Sequence, residues 1–186
     1  MTEQLKTYEL GTIYKLVDYH PYRKFGEDNP DRDSNTYKIM DLKNPSHHNH
    51  KKAVDFFGNG FKVGARNFAR FHGRNNFQVA IVPSSKVDKV SLGLEGVLSH
   101  VTDVNLLYNR DFLVRTRDIP SAHEGGERSI QQHIDTIAVN VKPNPNIPLL
   151  LVDDVTTTGA SLKACKQILE AAGVKEVYMV AIGTTV

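Results

Sequence analysis

The sequence predicts an α/β protein built on an open, mostly parallel sheet flanked by helices. Short apolar runs at 149–152 (LLLV) and 78–82 (QVAIV) have the length of strands that are buried on both faces. A stretch with helical spacing follows the first run, with Leu162 and Leu169 on its apolar side and Gly173 as its stop. Because strands that alternate with helices form parallel sheets, these observations together predict the fold class.

Length and composition are those of an ordinary globular protein. The 186 residues suffice for one domain with a small appendage, and 40% of them are hydrophobic. The formal net charge of +2 is small, so it does not indicate binding to nucleic acid or to an anionic membrane. The single cysteine, Cys165, lies on the apolar side of the predicted helix, so we expect a buried thiol and no disulfide. We find no secretory signal and no apolar run of membrane length, and therefore expect a cytoplasmic protein.

The first part of the chain, residues 1–76, has weaker patterns. A short strand is predicted at 12–17, and apolar side chains at spacings of three or four predict a helix over 51–71. Glycine lowers helix propensity, so a break into two shorter helices is an alternative. The glycines concerned are Gly58, Gly60 and Gly64.

A short polar loop follows the strand at 78–82. It contains Ser84, Ser85 and Lys86, at the carboxyl end of a strand, where open parallel sheets bind their ligands. Small residues expose backbone amides and the lysine adds positive charge, which suits an anion such as pyrophosphate. The alternative is an ordinary turn before a helix predicted at 90–101.

A second, longer polar segment covers 116–128 (TRDIPSAHEGGER), after a short strand predicted at 112–115. Loops of this length inside a compact domain are usually functional or disordered. The alternative is a solvated basic surface loop. Further along the chain, 131–141 is predicted to lead from a helix into a strand, and 176–182 to form the last strand.

The most specific pattern follows the run at 149–152. Asp153 and Asp154 are predicted at the carboxyl end of this strand, and the small residues 156–161 then open the helix. Backbone amides in such a turn, together with the positive end of a helix, bind phosphate. Two carboxylates beside a phosphate repel it unless the ligand also brings hydroxyl donors or a cation. A sugar phosphate meets this condition; the alternative is an ordinary strand, turn and helix.

These residues resemble a known motif. LLLVDDVTTTGASL (149–162) is similar to the phosphoribosyl pyrophosphate (PRPP) binding motif of type I phosphoribosyltransferases, which has a hydrophobic strand, two acidic residues and a Thr/Ser-Gly-x-Thr/Ser turn. The resemblance implies that the acidic pair holds the ribose hydroxyls and that the turn wraps the 5-phosphate. The implied PRPP-binding residues are Asp153, Asp154, Val155, Thr156, Thr157, Thr158, Gly159, Ala160 and Ser161.

The resemblance also implies roles for the two polar loops. Ser84, Ser85 and Lys86 would bind the pyrophosphate. The segment 116–128 would close over the reaction centre, which adds Arg117, His123 and Arg128 to Asp153 and Asp154 as candidate catalytic residues. Mg²⁺ would be held through PRPP, with Asp153 as the candidate ligand in the protein.

The implied organisation is a phosphoribosyltransferase type I core at 77–186 with an N-terminal hood at 1–76 that grips the acceptor. The implied reaction transfers the ribose 5-phosphate of PRPP to a nitrogen nucleophile, a nucleobase or a related base, with release of pyrophosphate. Many members of the family form homodimers.

The acceptor and the subfamily stay open. Thr157 stands where 6-oxopurine salvage enzymes have an aspartate that contacts the purine, which argues against hypoxanthine or guanine. The motif looks more like that of ComF-type competence-associated phosphoribosyltransferases. One alternative is a PRPP-binding regulator without turnover. Another is an accessory protein of DNA uptake or repair, which would use a platform of basic and aromatic side chains. That platform would consist of Arg66, Phe68, Arg70, Phe71, Arg74 and Phe77.

Overall fold

The computed structural model describes residues 7–24, 26–120 and 129–186. Its main sheet contains the strands β1 (Ile13–Tyr19), β4 (Asn76–Ile81), β5 (Asn105–Tyr108), β8 (Leu149–Thr156) and β9 (Val177–Thr185). Two short antiparallel pairs join β2 (Arg23–Lys24) to β3 (Glu27–Asp28) and β6 (Val114–Arg115) to β7 (Ile137–Ala138). The helices are α1 (Ser34–Lys43), α2 (His50–His72), α3 (Leu92–Ser99), α4 (Ile130–Ile134) and α5 (Ala160–Ala171), with a 3₁₀ turn at Arg110–Phe112.

The main sheet is parallel throughout, in the order β1-β9-β8-β4-β5. From β4 the chain first adds β5 on one side, and it then adds β8 and β9 on the other. The strand order therefore reverses between β4 and β8, which is where open α/β sheets bind ligands, at the carboxyl ends of the strands. The Val82 N–H, directly after β4, donates to Val152 O of β8 at 2.9 Å.

Helices cover both faces of the sheet, as the fold class predicted. Alternate strand residues face opposite sides, so each strand contributes to two clusters of buried side chains. The helices α1, α2 and α3 pack on one face, and α5 with α4 beside it packs on the other. The first cluster includes Phe57, Phe77, Val79, Leu150, Val152 and Ile182. The second includes Leu149, Leu151, Leu162, Cys165, Leu169 and Met179.

The helix predicted at 51–71 is one uninterrupted helix, α2, so the alternative of a break at its glycines is wrong. Phe57, Phe61 and Phe68 on its apolar side are buried, and this tertiary packing outweighs the low helix propensity of glycine. Gly58 has a packing role, because a Cβ added there would overlap the ring of His100, next to α3.

The strand predicted at 112–115 is not part of the main sheet. The neighbour of β4 is β5, whose Leu107 pairs with Gln78. Residues 110–112 form the 3₁₀ turn instead, and only 114–115 are extended, in the small antiparallel pair with β7. The apolar pattern misled here because Phe112 and Leu113 are buried as part of a connection, whereas Leu107 of the edge strand is 40% exposed.

The N-terminal part contributes to the same architecture. β1, predicted at 12–17, pairs in parallel with β9 and forms an edge of the main sheet. Ile39 and Leu42 of α1 belong to the cluster of buried side chains on the first face. The division of the chain at residue 76 stays a prediction. No helix in the described part of the chain is both long and apolar enough to span a membrane.

Candidate functional site

The acidic pair lies inside β8 rather than after it, because the strand continues to Thr156. Consecutive strand residues point to opposite faces of a sheet. Asp153 Oδ2 accepts a hydrogen bond from Ser161 Oγ of α5 at 2.9 Å. Asp154 Oδ1 lies 3.1 Å from Lys43 Nζ, at the end of α1. The two carboxylates therefore leave the strand on opposite sides, each toward a helix of its own face.

Asp153 is the more buried of the two carboxylates, with 9% of its surface exposed. Burial, followed by repulsion from Asp154, raises the pKa of Asp153 to about 7. The Ser161 hydroxyl, Lys43 and the Asp154 N–H act in the opposite direction, since they stabilise the ionised form. Asp153 thus changes its charge near neutral pH, and a cation or hydroxyl donors from a ligand would favour its ionised form.

The turn after β8 has the form of an anion site. Within the described residues, the backbone N–H groups of Thr157, Thr158 and Gly159 donate no hydrogen bond. They precede α5, whose first turn adds the positive end of a helix. Gly159 has a φ of +76°, and a Cβ at this position would lie 2.5 Å from Ile13 Cδ1. Only glycine fits both the backbone conformation and the space.

Hydroxyl groups hold the same turn in place. Thr158 Oγ1 accepts from the Ala160 N–H at 3.3 Å, and Thr157 Oγ1 lies 2.9 Å from Thr185 Oγ1 at the end of β9. The Thr157 and Thr158 side chains are exposed. The turn is therefore fixed by its neighbours, with Thr157 and Thr158 exposed and Gly159 buried.

The loop after β4 is held by residues far away in the sequence. Arg115, 6% exposed, donates from Nε to Ser84 O at 2.8 Å and from Nη2 to Pro83 O at 3.2 Å. Its Nη1 donates to Thr136 Oγ1 at 2.6 Å. Because a planar guanidinium fixes the directions of its donors, Arg115 sets the path of the loop backbone.

Residues 118 and 119 complete this support. Asp118 Oδ1 accepts from the Val87 N–H at 2.8 Å, and Asp118 Oδ2 lies 3.2 Å from Lys86 Nζ. The Ile119 N–H donates to Ser85 O at 2.9 Å. The Lys86 ammonium therefore already has a carboxylate partner. An anion bound in the loop would share this ammonium with Asp118.

A pocket of about 260 Å³ opens beside this loop, between the carboxyl ends of β4 and β5. Its polar lining includes Ser84, Lys86, Lys89, Ser91, Arg110 and Arg115. Glu95 neutralises Arg110 through contacts of 2.8 Å and 2.9 Å from Nη2. Lys89 has no ionic partner among the described residues, but Asp88 and Asp111 also line the pocket, so its charge is mixed.

The predicted site residues divide into three groups. The structure brings the Ser84–Lys86 loop and the 153–161 segment together on either side of the strand-order reversal. Arg117 is exposed, two residues beyond Arg115. His123 and Arg128 lie outside the described residues. Sequence reasoning did not identify Arg115 or Lys43 as site residues, because only the fold shows which distant groups they meet.

The interpretation of a basic and aromatic platform is wrong. Phe68 and Phe77 are 5% and 0% exposed and belong to the core. Arg74 pairs with Glu176 at 2.9 Å, and Arg66 pairs with Asp103. Phe71 is 41% exposed, so one of the three rings stays on the surface and the platform as predicted lacks the other two.

The acidic pair does not fit a magnesium ion held by the protein alone. The described residues contain no group of three or more His, Cys, Asp or Glu side chains that could hold a metal. The pair supplies two carboxylates on opposite sides of β8, and Asp154 already has Lys43 as its cation. Mg²⁺ needs near-octahedral oxygen coordination, usually completed by substrate phosphates and water.

Comparison with known proteins gives similarity at the level of structure only. No protein-family model matches the sequence, and no curated protein matches it either. A Staphylococcus aureus hypoxanthine phosphoribosyltransferase in a tetragonal crystal form is similar with a TM-score of 0.45 at 12% identity, over 83% of each chain. Its orthorhombic form gives 0.43 at 13% identity, over 72% of this chain and 74% of that one. A purine phosphoribosyltransferase from Pyrococcus horikoshii gives 0.38 at 11% identity, over 92% of each chain.

Proposed function

We propose that this protein binds PRPP and transfers its ribose 5-phosphate to a nitrogen nucleophile, with release of pyrophosphate. One observation carries the proposal. The acidic pair, the turn with free N–H groups and the loop at 84–86 come together where the strand order reverses, at the carboxyl ends of β8 and β4. By chemical type, these groups suit the ribose hydroxyls, the 5-phosphate and the pyrophosphate of PRPP.

The turn at 157–161 suits the 5-phosphate. Its free N–H groups and the start of α5 bind an anion by hydrogen bonds that need no positively charged side chain. The hydroxyls of Thr157, Thr158 and Ser161 can add donors. A ribose ring against the carboxyl end of β8 would then offer its two hydroxyls to Asp153 and Asp154, one from each side of the strand.

The loop at 84–86 suits the pyrophosphate. Its small residues bring backbone close to the ligand, and Lys86 supplies charge. Arg117, His123 and Arg128 remain proposals as further partners of the pyrophosphate. Mg²⁺ would enter bound to the pyrophosphate and neutralise part of its charge.

The proposed reaction is a displacement at the anomeric carbon of the ribose. The bond from this carbon to the pyrophosphate oxygen breaks, and the electron pair leaves with the pyrophosphate. The lone pair of the acceptor nitrogen forms the new bond, and the acceptor releases an N–H proton to the pyrophosphate or to water. If bond breaking leads, positive charge develops on the ring, as in glycoside chemistry. The protein would act through positioning and electrostatics, with the Asp153 and Asp154 carboxylates next to this charge.

The acceptor is the least determined part of the proposal. The proposed hood that selects it would use parts of residues 1–76 other than β1 and the buried sides of α1 and α2. Thr157 in place of an aspartate argues against a 6-oxopurine. A ComF-type protein and a PRPP-binding regulator without turnover are the alternatives. A homodimer and a cytoplasmic location also remain proposals.

Calorimetric titration of PRPP with Mg²⁺ into the purified protein tests this function, followed by a mixture of nucleobases and an assay for pyrophosphate. We expect PRPP binding, and pyrophosphate release once the right base is present. Binding without release would favour the regulator, and absence of binding would refute the proposal.

A double variant, Asp153→Asn with Asp154→Asn, shows whether the binding uses the acidic pair. Each charge-assisted hydrogen bond contributes roughly 1.5 to 3 kcal/mol, so we expect PRPP affinity to fall at least tenfold. Asp18→Asn is the matched control, because Asp18 forms an exposed ion pair with Lys15 on β1. Equal PRPP affinity in the double variant and this control would contradict the assignment.

A further inference from the structure

Lys43 meets the acidic pair from a part of the chain that carries no motif. It is the last residue of α1, where a positive side chain also interacts well with the helix dipole. Ile39 and Leu42, 1% and 2% exposed, fix this end of the helix in the core. An Asp33 side chain fixes the other end, since it accepts from the Asn35 and Thr36 N–H groups at 2.9 and 3.0 Å. The backbone of Lys43 is thus fixed beside β8, and its side chain, 44% exposed, extends from there to Asp154.

The contact is specific to one oxygen of Asp154. Oδ1 accepts from the Val155 N–H at 2.6 Å and lies 3.1 Å from Lys43 Nζ. Oδ2 accepts no hydrogen bond from the described residues. Asp154 can therefore accept a ribose hydroxyl at Oδ2 while it keeps its cation at Oδ1.

The charges around Lys43 favour its protonated form. Burial alone would lower the pKa of Lys43, but attraction to Asp154, a hydrogen bond to the same residue and attraction to Asp153 raise it. Lys43 thus brings one positive charge to a pair that would otherwise repel the phosphate bound at the neighbouring turn.

We propose that Lys43 is the resident cation of the acidic pair: it neutralises Asp154 at Oδ1, so that the pair needs no divalent ion from the protein. This inference rests on the proposed function for its ligand, and it adds a ligand-independent property. The protein itself holds no divalent ion there, and the pair accepts ribose hydroxyls without one. A divalent ion is then needed only for the pyrophosphate part of PRPP.

The first test measures Mn²⁺ binding without any nucleotide, from the paramagnetic relaxation of water or from electron paramagnetic resonance. Lys43→Met removes the charge and keeps the length of the side chain. Lys51→Met is the matched control, because Lys51 forms another Lys–Asp pair, 3.3 Å from Asp55 on α2. We expect no Mn²⁺ site at millimolar concentration in the wild type, in the control or in Lys43→Met, because the two carboxylates lie on opposite sides of β8.

The second test measures the binding of ribose 5-phosphate, which has the hydroxyls and the phosphate but no pyrophosphate. In the presence of EDTA, the wild type and Lys51→Met should bind it equally. Lys43→Met should bind it at least tenfold more weakly, with EDTA and with millimolar Mg²⁺ alike. Lys43→Gln repeats both tests if the methionine variant does not fold.

The outcomes separate this inference from the proposed function. If the wild type binds neither PRPP nor ribose 5-phosphate, the proposed function fails, and the Mn²⁺ test still shows whether the acidic pair holds a divalent ion. If the wild type binds Mn²⁺ and Asp154→Asn removes that site, a divalent ion and not Lys43 is the cation of the pair. Unchanged or tighter binding of ribose 5-phosphate in Lys43→Met would also overturn the proposal.

Discussion

The two loops that meet at the strand-order reversal are stabilised in different ways. The turn after β8 is held mainly by its own residues: Ser161 donates to Asp153, Thr158 accepts from Ala160, and Gly159 supplies the left-handed backbone. The loop after β4 is held from 31 residues away, by Arg115 and Asp118. A locally specified site is therefore paired with one that depends on the assembled fold, and damage to the two should have different consequences.

The largest effect is expected from Arg115→Met. The substitution leaves two backbone carbonyls and the Thr136 hydroxyl without their donor in a buried place, which should lower the free energy of unfolding by about 4 kcal/mol. Urea unfolding measures this change. Arg115→Lys should recover little of it, because a lysine has no planar fork.

Arg110→Met is the control for this prediction, since Arg110 is more than half exposed and pairs with Glu95 on the surface. We expect it to change the urea midpoint little. Similar losses in the two variants would contradict the view that Arg115 holds the loop after β4.

Gly159→Ala should have the next largest effect. A left-handed backbone costs a residue with a Cβ about 1 to 2 kcal/mol, and the clash with Ile13 adds about 1 to 3 kcal/mol. We expect a loss of about 3 kcal/mol in urea unfolding, and with it the loss of phosphate binding.

Gly73→Ala separates the two causes. Gly73 has a φ of +59°, but a Cβ there would have no atom within 4 Å. Its substitution should cost about 1 to 2 kcal/mol from the backbone alone. If Gly159→Ala is no more destabilising than Gly73→Ala, the close approach to Ile13 does not constrain the turn.

Asp153→Asn should change how stability depends on pH. The pKa of Asp153 is raised to about 7 in the folded protein, against about 3.9 in the unfolded chain. The folded state therefore holds a proton that the unfolded state has lost between these values, and this contribution to stability falls as the pH rises, by about 1.4 kcal/mol per pH unit. Above pH 7 the fall levels off.

Urea unfolding between pH 4.5 and 8 measures this effect as the difference between Asp153→Asn and the wild type. The variant should gain relative stability with rising pH over this range. A flat difference, like that expected for the exposed Asp18→Asn, would mean that Asp153 is ionised throughout.

The smallest effect is expected from Asp118→Ala. Asp118 is exposed, so its loss should leave the urea midpoint nearly unchanged, while the Val87 amide loses its acceptor. Hydrogen exchange at Val87 should become faster, with no change at the 157–161 amides. Equal acceleration in both segments would show that the two loops do not fold as separate local units.

Segments stabilised by their own residues could be predicted from the sequence, whereas contacts between distant residues could not. The strand at 149–152, the glycine turn and the buried face of α5 are specified within one short stretch, and their patterns predicted them. The role of Arg115 was not predictable, because its partners at Pro83 and Ser84 are joined to it only by folding. Lys43 lies 111 residues from Asp154, and no local pattern links them. The missed edge strand β5 is short and half-exposed, so apolar periodicity favoured the buried connection at 112–113 instead.

The central claim is that the ends of β4 and β8 form one site for one ligand. Hydrogen exchange of the wild type with and without PRPP and Mg²⁺, read at single amides, tests it most directly. We predict that PRPP slows exchange at both 84–87 and 157–161, and that inorganic phosphate slows it only at 157–161. Protection by PRPP of only one segment, or of neither, would contradict the claim.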